Sequence, residues 1–71
     1  MTHNLKSYLR AHAASQRAAD ARAALPIGST RARVTTANAR WARAAEERDR
    51  LWSALTHAEK AEADELLRGE P

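Results

Sequence analysis

A chain of 71 residues has room for one domain, and without cysteine it can use neither disulfides nor thiolate-bound zinc to brace a thin core. Only thirteen of its apolar residues are larger than alanine, so burial supplies about 3–5 kcal/mol in a scaffold of this size, and a second chain or unusually regular helix packing is expected to help. Charge is segregated: residues 1–45 hold eight Lys or Arg against Asp20 alone and residues 46–71 hold four against eight Asp or Glu, giving +7 and −4 within a net +3.

The first helix is predicted over residues 4–24. Leu5, Tyr8, Leu9, His12 or Ala13, Gln16, Ala19 and Ala23 fall at helical spacing, which makes this the packing face, and its middle is almost entirely alanine. Residues 25–30, "LPIGST", are the only stretch with both Pro and Gly. Pro26 fits position i+1 and Gly28 position i+3 of a type I turn, while Leu25 is pushed off helical angles by the proline that follows it. Ser29 or Thr30 is expected to cap the next helix, with Thr35 as a rival start.

The second helix is predicted over residues 31–55. Val34, Ala37, Trp41, Ala44, Arg48, Leu51 and Leu55 alternate spacings of three and four, a heptad seam with Trp52 beside it. Folding the first helix back through the short turn pairs residues whose numbers sum to about 58. That register sets Trp41 against the alanines from Ala13 to Ala19 and Tyr8 against Leu51 and Trp52.

The third helix, residues 57–68, carries the clearest start signal, "THAE", in which Thr56 and Glu59 form a capping box. Gly69 closes it and Pro71 cannot continue it. Ala63, Leu66 and Leu67 form a narrow apolar strip, expected to dock near Trp41 and Ala45. The fold class is therefore all-α, a long antiparallel helical hairpin with a short third C-terminal helix and coiled-coil-like packing.

The chain offers little to chemistry. His3, His12 and His57 lack the i, i+4 spacing of a helical zinc site, and Ser7, Ser15 and Ser53 lack a local His or Asp arrangement that would make a nucleophile. Two glycines are too few for a phosphate, dinucleotide or calcium loop. No catalytic, cofactor-binding or metal-binding residue is assigned, and no small-molecule substrate is expected. No apolar run approaches the ~18 residues of a membrane span, and Met1–Arg10 has no apolar stretch of signal-peptide length, so a cytoplasmic setting without a membrane partner is expected.

Two surfaces remain. Arg33, Thr36, Arg40 and Arg43 form a stripe beside the seam of the second helix, and Arg31 projects from its opposite side with Thr35 and Asn38; these residue types suit phosphates, a charged partner, or a solvated face with pairs down the helix such as Arg43 with Glu47 and Glu46 with Arg50. Against nucleic acid stand the acidic end of the same helix and the absence of an exposed aromatic beside the arginines. Trp41, Arg48, Leu51, Trp52 and Leu55 are the candidate packing or interface residues, with Arg48 either laying its stem along the seam or pairing with a carboxylate. The expected function is a small non-catalytic protein-interaction module, self-associating or acting as an adaptor or inhibitor. The alternative is a nucleic-acid-binding accessory protein that holds phosphates with the Arg-rich start of the second helix.

Overall fold

The computed structural model describes residues 1–69 and consists of three helices: α1 (His3–Ala23), α2 (Arg31–Ser53) and α3 (His57–Arg68). The fold is the all-α antiparallel hairpin with a short third helix, and no strand occurs among the described residues. Each helix opens on a threonine whose hydroxyl accepts a backbone N–H three residues on: Leu5 to Thr2, Arg33 to Thr30 and Glu59 to Thr56. This chemistry satisfies one of the orphan donors of each first turn. It starts α1 one residue earlier than expected and excludes Thr35 as the start of α2.

The turn differs in detail from expectation. The Ser29 N–H donates to the Pro26 carbonyl at 3.1 Å, and Gly28 has φ +87°. Pro26 thus occupies position i and Gly28 position i+2, where a positive φ marks a type II turn and glycine carries no steric penalty. The Ser29 hydroxyl donates back to the same carbonyl at 2.6 Å, which leaves capping to Thr30. At the other boundary α2 ends at Ser53 rather than Leu55, with Ala54 as its C-cap and the Leu55 N–H bonded to the Trp52 carbonyl at 3.0 Å. Gly69 caps α3 at φ −79°, with its N–H on the Glu65 carbonyl; Pro71 lies outside the described residues.

The core sits at the open end of the hairpin. Leu5, Tyr8, Leu55 and Ala63 are buried, and Leu9, Leu51, Trp52 and Leu67 pack around them. The Tyr8 and Trp52 rings lie 5.1 Å apart at a tilted angle, the geometry their quadrupoles favour. Consequently α3 docks on the start of α1 and not near Trp41 and Ala45. The large apolar side chains are already at the open end, and α3 follows α2 through so short a link that it can reach only them. Leu66, expected in the α3 strip, is 41% exposed, while Ala63 is fully buried.

Glu59 fastens this junction. Its Oε1 accepts the Thr56 N–H at 2.9 Å, completing the capping box, and its Oε2 accepts the Thr2 hydroxyl. One carboxylate therefore links the first residues of α1 and α3 while buried to 8% exposure. The bond from Thr2, followed by the Thr56 backbone N–H, holds its pKa below the ordinary glutamate value, against the opposing effect of desolvation.

Two outcomes follow. Leu5→Ala is expected to cost about 2–5 kcal/mol, the scale of the whole stability margin, and to unfold most of the protein in a denaturant titration. A depressed folded-state pKa means that the Glu59 contribution is complete above the unfolded glutamate value of about 4.3 and is lost as pH falls through the lower folded value. Acid should release α3, read from the Leu5 and Ala63 methyl resonances, and Glu59→Gln should remove that part of the pH dependence.

Candidate functional site

The seam between α1 and α2 is half polar. On α1 the face toward α2 runs through Leu5, Tyr8, His12, Ser15 and Ala19, so Ser15, at 2% exposure, takes the place expected for Gln16, which is exposed. Ala13 and Ala23 are exposed as well. The steps of three and four that follow Tyr8 set this face, through His12 and Ser15 to Ala19.

Arg48 lies opposite. Its side chain, 30% exposed, reaches Ser15 Oγ at 3.4 Å through one terminal guanidinium nitrogen and Asp49 Oδ1 at 3.1 Å through Nε. Ser15 Oγ in turn donates to the His12 carbonyl at 2.7 Å, so the hydroxyl is engaged on both sides. Burial raises the Tyr8 pKa, and the charge of Arg48 opposes that rise. Arg48 thus lays its stem along the seam and pairs with its own neighbour, not with a carboxylate of α3.

Further toward the turn, the Arg22 guanidinium sits 4.6 Å from the centroid of the half-buried Trp41 ring. Arg22 thus covers the Trp41 ring from α1. The pairing of Tyr8 with the Trp52 end stands as expected. Leu51, Trp52 and Leu55 lie within or against the core, and Val34, the first seam residue, is 39% exposed.

The turn end of the hairpin is underfilled. A groove of about 620 Å³ runs between the helices, lined by Ala18 and Ala21 from α1, by Leu25 just past its end and by Ala32 and Ala37 from α2. Arg17 from α1 and Arg33, Thr36 and Arg40 from α2 complete the lining, so cations flank an apolar strip from both helices. All three arginines are exposed, and none is ion-paired among the described residues, where the two ion pairs are Arg48 with Asp49 and Arg50 with Glu47. Ile27, fully exposed at the turn, and Val34 add apolar surface at the same end.

Of the five residues expected to make contacts, the fold brings Arg33, Thr36 and Arg40 to this groove, while Arg31 and Arg43 are exposed but do not line it. Arg17 and the alanine wall were missed. The signal is a second series of alternating threes and fours, Ala11, Ala14, Ala18 and Ala21 on α1 with Leu25 just past its end. No group of three or more His, Asp and Glu that could hold a metal ion occurs among the described residues. No described helix is long and apolar enough to cross a membrane.

The seam assignment has a direct test. Ser15→Leu forces a larger side chain against Arg48 and should cost about 1–3 kcal/mol in thermal or denaturant unfolding, whereas Gln16→Ala should be near neutral. Comparison with known proteins finds no family model, no curated protein and no solved structure that matches this chain.

Proposed function

We propose that this chain is a non-catalytic helical interaction module whose turn-end groove receives an acidic amphipathic helix. The carrying observation is the groove itself: an alanine and leucine strip between two helices, with Arg17, Arg33 and Arg40 along it and no carboxylate to neutralise them among the described residues. Small side chains let a third helix approach closely, and its apolar face would cover what the hairpin leaves bare. Unpaired guanidinium groups beside that strip favour a partner carrying carboxylates at its flanks and disfavour a basic one.

A synthetic amphipathic helix with an alanine and leucine face flanked by glutamates tests this reading. Binding measured by calorimetry should weaken at least about tenfold when Arg17, Arg33 and Arg40 become Gln, a loss of roughly 1.4 kcal/mol. No binding at about 50 mM salt would end the reading, because electrostatic attraction is strongest there.

The exposed Arg31, Arg33, Arg40 and Arg43 also favour a second reading, contact with nucleic-acid phosphates. Arg31→Gln with Arg43→Gln distinguishes the two. These changes lie outside the groove lining and should spare helix binding, whereas phosphate binding should weaken and its salt slope should shrink.

A further inference from the structure

We infer that the helix received by the groove is α3 of a second copy of this chain, so that copies join head to tail. This rests on the reading of the groove as a helix-binding site and names its occupant. α3 exposes Glu62, Glu65 and Leu66, two carboxylates beside an apolar residue that is 41% exposed. Glu59 and Ala63 are buried and spent on the junction with α1. Charge matches: Glu62 and Glu65 would face Arg17, Arg33 and Arg40, the sense in which the basic and acidic halves of the chain differ.

The contact is heterologous. At ~100° per residue, Leu5, which packs with Ala63 of α3, and Ala18 and Ala21, which line the groove, fall on opposite sides of α1. Two hairpins placed groove to groove would set arginine against arginine. A copy that offers its α3 to one neighbour keeps its own groove free for another, which gives an open chain or a ring in place of a closed two-fold dimer.

The experiment uses the full chain in sedimentation velocity, with circular dichroism to show that every variant stays helical. Wild type at about 50 mM salt should grow beyond a dimer as concentration rises and should dissociate at about 1 M, where the Debye length falls to about 3 Å. Arg33→Glu with Arg40→Glu disables the groove; Glu62→Gln, Glu65→Gln and Leu66→Ser disable the stripe. Each variant alone should be monomeric, and an equal mixture should form a 1:1 dimer and nothing larger, since one intact stripe then meets one intact groove.

A wild type that stays monomeric at high micromolar concentration and low salt overturns the inference, as does a dimer that never grows or a mixture that fails to pair. If the synthetic acidic helix binds the groove while wild type remains monomeric, only the occupant is wrong. If neither binds, the groove reading falls with it.

Discussion

The contact of Leu5 and Tyr8 with Leu55 and Ala63 joins α1, the end of α2 and α3 at one place, and most of the large apolar side chains gather around it. A chain with so few of them cannot build two such clusters. Concentrating burial at the open end fixes where α3 docks, sets Glu59 against Thr2, and leaves the other end of the hairpin with Leu25 and Trp41 half-buried and Ile27 and Val34 exposed. The groove at the turn is the complement of the core.

Between these ends the helices meet through alanines and through two arginines, and the arginines define register more than they add burial. Arg48 on Ser15 and Arg22 on Trp41 each tie one position of one helix to one position of the other, something a row of alanines cannot do because every step along it looks alike. The desolvation cost stays small, since Arg22 is exposed and Arg48 partly so, and each guanidinium retains contact with water. The price of this arrangement is a seam with little hydrophobic grip, which places a premium on the closed junction at the other end.

Charge follows the same division of labour. The basic half contains the open groove, and the acidic half contains the helix that completes the core with its inner side and exposes Glu62, Glu65 and Leu66 on its outer side. In the proposed assembly one copy's surplus covers another's deficit, and the thinness of the isolated core becomes a reason for association.

Periodicity and caps made the three helices legible in the sequence, because Thr56 with Glu59, the "LPIGST" break and the Trp41 to Leu55 spacing each act over a few residues of chain. The pairing of Tyr8 with Trp52 could also be read, since a short turn leaves an antiparallel return as the simple path. Ser15 in the seam, Arg22 over Trp41, the bond from Thr2 to Glu59 and the docking of α3 on the start of α1 could not. Those depend on the slide of one alanine-rich helix along another and on which end wins the few bulky side chains. Local rules fix elements; tertiary packing alone decided register, and with it which arginines line a groove and which merely face water, because small side chains leave the slide nearly free until distant polar and aromatic groups lock it.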